Sequence, residues 1–449
     1  MKLAVLCCVG LTPAHLGADT PALRELAQRG FAAPLASALP AVTTTAQATM
    51  LTGELPSRHG IVANGWFFRE LGEVWLWRQS ERLIEAPLPW QRPGGPRTLK
   101  HFWWYAMQTR AAATVTPRPV YHHDGRKAPD FYAWPYELKQ AIRERHGEFP
   151  LFRFWGPGAD IAATRWIAES FRTAIERTDP ELALCYLPHL DYDLQRFGPS
   201  GPHLARALRE LDAVVGPLLA WLAERGYAVL VVSEYGLEPV SQAAFPNRAL
   251  RQAGLLQAVR NAAGELLDTG ASRAFAVCDH QIAHVYCADP AAEAAARAVL
   301  ERLPGIERVY GGAERSELGL DHPRSGELIA LAAPGWWFAY DYWLDDGARP
   351  DFARCVEIHK KPGYDPRELF LDPRGGRWRL ARALLRKALG LRYVMDVCPL
   401  DSALVRGSHG RPAASPEAGP LLIASARRWQ RASWHQRDVA GLIAEILAS

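Results

Sequence analysis

The 449-residue sequence has no apolar run approaching the roughly 20 residues that a membrane-spanning helix requires, which argues against a helical integral membrane protein. Cysteine is sparse: seven residues at scattered positions, with no CxxC pair and no zinc-like spacing. That excludes a disulfide framework and a structural zinc, and it fits a reducing compartment. Strong charge of either sign is also missing. The net charge is +4 and the bases are spread along the chain, so nucleic acid is not expected as the main partner. Internal repeats and low-complexity tracts are lacking. The opening MKLAVLCCVGL carries one basic residue and no small-residue cleavage pattern before Thr12-Pro13. It reads as a first buried strand, Lys2–Val9, and a cytoplasmic location is the expectation.

What is present is an ordinary globular composition, 49% apolar and 22% charged, which excludes a disordered chain. Short apolar runs alternate with amphipathic stretches: Leu3–Val9, a helix near Thr20–Arg29, Leu182–Leu187, a helix near Leu204–Arg225, then Ala228–Ser233. The alternation predicts an α/β fold with a mostly parallel sheet and helices on both faces. Ligands in such folds sit outside the carboxyl ends of the strands, which directs attention to Val9–Thr12, Asp191–Gln195 and Glu234–Tyr235. Residues 247–373 change texture and predict a smaller α+β cap, leaving 1–246 and 374–449 as the core. Within that cap Phe275–Cys287 reads as one strand, with His280 and His284 pointing the same way. The aromatic-rich stretch 66–155 reads as irregular loops over the site. Trp336, Trp337, Tyr340, Tyr342 and Trp343 could wall an apolar pocket.

The strongest motif is Pro40-Ala41-Val42-Thr43, followed by Thr52-Gly53 and by Pro56-Ser57-Arg58-His59-Gly60-Ile61-Val62-Ala63-Asn64-Gly65. A hydroxyl at the turn into a helix faces the positive end of that helix, which suits a phosphoryl group. Taken alone, Thr43 would be a capping residue and Asn64 a turn residue. Two further segments follow apolar runs: His189-Leu190-Asp191 with Gln195-Arg196-Phe197-Gly198-Pro199, and Ser233-Glu234-Tyr235-Gly236. A fourth, Gly407-Ser408-His409-Gly410, lies near the C-terminus.

Together these segments resemble the nucleotide pyrophosphatase/phosphodiesterase (type I phosphodiesterase) family of the alkaline phosphatase superfamily, in a divergent bacterial subgroup with altered metal motifs. The resemblance implies an alkaline-phosphatase-like core. It implies Thr43 as the nucleophile and Asn64 as the holder of a phosphoryl oxygen. It further implies that Asp191 and His409 stand at a first metal and that Glu234 belongs to a second. Three of the family's usual ligand positions differ: they are occupied by Val9, Gln195 and Tyr235. Replacement ligands could come from the cap, where Asp279-His280 with His284, Asp321-His322, and His359 with Asp365 are candidates, His359 being favoured because Pro362 and Gly363 order the loop after it. Gln195, Tyr235 and His280 are expected to face the substrate.

The function expected is metal-assisted hydrolysis of a phosphodiester, pyrophosphate or related small-molecule phosphoryl substrate, with zinc, manganese or magnesium as the divalent cofactor. Two alternatives stay open: a binding protein that keeps the phosphate pocket without turnover, and a phosphoryl transferase or mutase using Thr43 covalently. Residues 374–392 hold six Arg and one Lys among leucines at helical spacing. Such a helix either packs its leucines on the core and solvates its arginines, or makes a weak peripheral contact with an anionic membrane surface.

Overall fold

The computed structural model describes residues 1–123 and 127–449. The chain divides into two compact units: Met1–Ile61, Gln79–Leu237 and Pro412–Ser449 form the first, Val62–Arg78 and Glu238–Arg411 the second.

The first unit is built on an eight-stranded sheet. In spatial order its strands are Phe31–Pro34, Leu421–Ala424, Tyr227–Val232, Lys2–Cys8, Leu182–Leu187, Thr98–His101, Ala113–Pro117 and Phe131–Trp134. The five strands from Tyr227–Val232 to Ala113–Pro117 run parallel, and the others pair antiparallel. Lys2–Cys8 lies centrally, with Leu6 opposite both Cys185 and Val231. Every residue of Leu182–Leu187 and Tyr227–Val232 is buried, as expected of parallel strands covered on both faces. Helices Ile161–Thr178 and Asp438–Ala448 pack against Leu182–Leu187 and Lys2–Cys8. Asp160 caps the former by accepting from Ala162 N–H.

The stretch 66–155 is not the set of irregular loops the sequence suggests. It supplies three strands of the main sheet, the helix Tyr136–His146 and, in the second unit, the hairpin Gly65–Phe68 with Glu73–Leu76. Thr98–His101 (TLKH) and Ala113–Pro117 (ATVTP) are too short and polar to stand out as buried strands, yet all four residues of the first are buried. Lys100 is neutralised there by Glu81, at 3.2 Å.

In the second unit a four-stranded antiparallel sheet runs Ala274–Asp279, Ile282–Cys287, Leu328–Ala332, Ile306–Gly311, with the helix Pro290–Leu300 packed on it. The expected single strand Phe275–Cys287 is therefore two strands, and His280 lies in the turn between them at φ 61°. The aromatics Trp337, Tyr340, Tyr342 and Trp343 are buried to 1% exposure or less, so they are core and not pocket wall. Lys361 and Arg367 are as deeply buried and fully paired: Lys361 Nζ lies 2.9 Å from Asp365 and 2.7 Å from Glu368, and Arg367 lies 2.6 Å from Asp341 and 2.7 Å from Asp365. The unit extends to Arg411, well past the expected boundary at 373, and takes in the helix Gly376–Ala388. Of the leucines on that helix and at its C-cap, Leu389, only Leu380 is half-buried. Leu384, Leu385 and Leu389 are 48%, 62% and 64% exposed and Trp378 is 81% exposed, because its short Gly376 and Ala383 form the packed side instead.

Candidate active site

The helix Thr43–Thr52 begins at Thr43, after Val42 in extended conformation, and ends at Gly53, whose φ of 76° is the left-handed cap that favours glycine. All ten of its residues are buried. His59 of the following segment anchors it, with Nε2 3.0 Å from Thr49 Oγ1. Thr43 stands at the first helical position, where backbone N–H groups lack intrahelical acceptors.

Around Thr43 the first unit gathers Asp191, Gln195, Glu234 and Tyr235. Tyr235 Oη is 3.1 Å from Thr43 Oγ1 and donates to Asp191 Oδ1 at 3.4 Å. A phenol has one proton, so with that proton on Asp191 the Thr43 hydroxyl is the donor toward Tyr235. Asp191 sits in the first turn of the helix His189–Phe197, directly after Leu182–Leu187, and Gln195 follows one turn later. Gln195 Nε2 donates to Asp191 Oδ2 at 2.8 Å.

Glu234 and Tyr235 follow the strand Tyr227–Val232 in a turn that Ser233 pins: its Oγ donates to Leu11 O at 2.6 Å and accepts from Leu421 N–H at 2.7 Å. Gly236 is required here, because a Cβ would come within 1.9 Å of Ala418 O. Glu234 accepts from Gln47 Nε2 at 2.6 Å, while Gln47 Oε1 accepts from Trp104 N–H at 2.9 Å. The second bond fixes which end of the amide faces the carboxyl. Burial pushes Asp191 up to about 7 and Glu234 up to about 8, with Gln195 and Gln47 respectively pulling them back. Burial, with Asp191 and Glu234 beside it, holds the Tyr235 phenol well above its ordinary value.

These donors do not fit the two-cation centre that the resemblance implies. Val9 has no ligand atom, Tyr235 is a neutral phenol, and the amides of Gln47 and Gln195 turn N–H toward the carboxylates. Elsewhere among the described residues of this unit, His189, Asp193 and Glu210 bring ligand atoms within 4.8 Å of one another. Arg196 and Arg206 already pair with Asp193, at 2.6 and 3.2 Å, and His189 contacts Glu210 at 3.0 Å, so the charges balance without an ion.

In the second unit Asp279 is the hub. Its oxygens accept from Asn64 N–H at 2.8 Å and Asn64 Nδ2 at 3.1 Å, and Oδ1 lies 2.7 Å from His280 Nδ1. The His280 ring is sandwiched between Tyr364 and His409, at centroid distances of 3.6 and 3.7 Å. Gln281 N–H donates to His409 O at 2.9 Å. Burial drives His280 well below its ordinary value. His284 does not stack with His280, as a single strand would have aligned it; its Nδ1 accepts from Gly326 N–H at 3.2 Å and its Nε2 lies 3.0 Å from Val62 O, within reach of the Asp279 charge. His359 is on an exposed turn. His322 Nδ1 accepts from Arg324 N–H at 3.2 Å in a local turn.

Sequence reasoning missed Gln47, Trp104 and Cys7. The signal for Gln47 was its place one helical turn after Thr43. Cys7, on the central strand, lies against Glu234, and burial with that acid raises its thiol.

The family model for type I phosphodiesterase / nucleotide pyrophosphatase matches residues 3–365, and the chain belongs to this family of phosphodiesterases and pyrophosphatases. An uncharacterized pyrophosphatase/phosphodiesterase of Schizosaccharomyces pombe is 25% identical over 227 residues, 49% of this chain and 41% of that protein; the match thus spans well under half of the relative's length. Human ectonucleotide pyrophosphatase/phosphodiesterase 5 has a similar fold, with TM-score 0.61, 13% identity, and coverage of 100% of this chain and 95% of the other. Phosphonoacetate hydrolase from Sinorhizobium meliloti, solved with phosphonoformate, gives TM-score 0.63 at 14% identity over 100% and 96%. The alkaline-phosphatase-like fold follows from these likenesses. No helix among the described residues is long and apolar enough to cross a membrane.

Proposed function

We propose that this chain hydrolyses a phosphodiester, pyrophosphate or related small phosphoryl compound through a covalent intermediate on Thr43. The observation that carries the reading is the hydrogen-bonded series from Thr43 through Tyr235 to Asp191, buried at a helix N-terminus. Thr43 Oγ1 attacks phosphorus and the leaving oxygen departs. The Thr43 proton passes to Tyr235 Oη as the phenol proton moves to Asp191 and neutralises that carboxylate, while the leaving oxygen departs as its anion and takes its proton from solvent. Water then attacks phosphorus and gives up a proton to solvent as the bond to Thr43 breaks, and Thr43 Oγ1 recovers its proton from Asp191 through Tyr235. The start of the helix, where the backbone N–H groups point, offers the positive field that a phosphoryl group needs. Glu234, held by Gln47, offers a further polar group beside Thr43. The resemblance assigns Asn64 to a phosphoryl oxygen, and Asp279 is what orients its amide.

Small phosphoryl ligands fit this reading: murine ectonucleotide pyrophosphatase/phosphodiesterase 5, similar in fold, was solved as an inactive variant in complex with AMP, and the Sinorhizobium meliloti hydrolase with phosphonoacetate. Divalent-cation dependence is the family expectation, with Asp191 and His409 its assigned residues. The test is a generic aryl phosphodiester assay on purified protein, with chelator and with a panel of zinc, manganese and magnesium. Turnover that disappears in Thr43→Ala supports the reading. Equal turnover by that variant refutes the nucleophile, and binding of AMP without turnover under any condition favours a non-catalytic binding protein.

A further inference from the structure

The helix Gly376–Ala388 presents an apolar stripe to solvent. Trp378, Leu385 and Leu389 recur at intervals of seven and four, so they share one face. That face lies opposite the buried Gly376 and Ala383, and the three side chains are 81%, 62% and 64% exposed. The patch continues past the helix through Leu391 at 50% and Val394 at 61%. With Leu384, six large apolar side chains are exposed within 17 residues, more than scattered surface hydrophobics amount to, and a patch of this kind marks a binding surface.

Charge identifies what it binds. Between Arg374 and Val394 the chain carries Arg374, Arg377, Arg379, Arg382, Arg386, Lys387 and Arg392, and no Asp or Glu. Arg379 is engaged by Asp372, and Arg382, though 3.8 Å from Asp396, keeps 67% of its side chain exposed; Arg377, Arg386, Lys387 and Arg392 are exposed as well. On the helix, Arg382 and Arg386 project along one edge of the apolar stripe. We propose that this face docks on an anionic lipid surface, with Trp378, Leu385 and Leu389 entering the interface and the arginines reaching lipid phosphates. A second copy of the chain is the poorer occupant. A two-fold contact would set this basic face against itself, with no acid in the segment to offset it. This inference is independent of the reading of Thr43.

The experiment is flotation of the full chain with vesicles of phosphatidylcholine alone and of phosphatidylcholine mixed with phosphatidylglycerol in equal parts, at low and high salt. The wild type should float with the anionic vesicles only, and high salt should release it. The variant Trp378→Ser/Leu385→Ser/Leu389→Ser should bind them roughly tenfold more weakly or worse. Its far-UV circular dichroism and melting temperature should match the wild type, since the replaced side chains are exposed. A second variant, Arg382→Gln/Arg386→Gln, should lose affinity while keeping the apolar face. Failure of the wild type to float at low salt overturns the proposal. So does equal flotation of the serine variant. A wild-type dimer that the serine variant loses, without vesicle binding, assigns the face to a second copy instead.

Discussion

Tyr235 Oη stands 3.1 Å from Thr43 Oγ1, and its own proton is directed at Asp191. A position that holds imidazole in the resembled family thus holds a phenol that joins a hydroxyl to a carboxylate. Tyr235→Phe keeps the buried ring and removes only this link. Turnover of an aryl phosphodiester should fall about a hundredfold, within the range for loss of general acid–base help, with little change in KM. Steady-state kinetics check it, and unchanged kcat removes Tyr235 from the proton path.

Cys7 pairs with Val232 in the sheet, and Val9 and Glu234 each follow two residues later. The register therefore sets Val9 and Glu234 at neighbouring strand ends, where a cation ligand pair could be restored. The variant Val9→Asp/Glu234→Asp/Tyr235→His should gain about one bound zinc per chain over the wild type and should speed cleavage of a generic phosphodiester. Elemental analysis after gel filtration gives the first answer. Unchanged metal content would show that these three side chains do not converge.

Asp279 holds both the backbone and the side-chain amide of Asn64. Asp279→Asn retains one acceptor and should lower kcat/KM about tenfold, whereas Asp279→Ala should lower it further, consistent with loss of charge-assisted hydrogen bonds. Equal kinetics of both variants and the wild type would separate Asn64 from the reaction.

His101 and His284 are buried and His15 is half-buried, and desolvation lowers His15, His101 and His284 to about 4, 3 and 4 from an ordinary value of 6.5. Their folded-state values lie below the unfolded one, so between those limits the unfolded chain binds more protons. The stability they contribute is present above pH 6.5 and is lost as pH falls toward 3 to 4. Thermal unfolding should therefore show a melting temperature that drops across this interval. His101→Gln, which keeps a partner for Ser170 Oγ, should shallow the drop; a curve parallel to the wild type would locate the acid sensitivity elsewhere.

Much of the central sheet was legible because Leu182–Leu187 and its neighbours are continuous apolar runs, which only a doubly covered strand requires. Thr98–His101 and Ala113–Pro117 were not, since their burial comes from neighbours and from the Glu81–Lys100 pair, which periodicity cannot register. In the site, Thr43, Asp191, Glu234 and Tyr235 were named through the family resemblance, the last three also from their place just after apolar runs. What the sequence concealed was the bonding: Tyr235 reads as a lost ligand until its hydroxyl is seen beside Thr43. Gln47 is one amide in a threonine-rich helix, and its role depends on Trp104, 57 residues away. His280 was misplaced because the turn at Asp279–Ile282 contains neither glycine nor proline, the usual punctuation of a hairpin.

The ion-paired segment from Lys361 to Glu368 contains no α-helix or strand, only a short 3-10 turn, yet its cations are as dehydrated as core leucines. Charges so enclosed are beyond the reach of mobile counter-ions, and opening the segment would strand several of them at once. Its amides should accordingly exchange with deuterium as slowly as those of the neighbouring strands, in a single cooperative step, and added salt should leave that rate unaltered. A stretch of chain that looks like a loop by its backbone would then be, in time, among the slowest parts of the molecule to open.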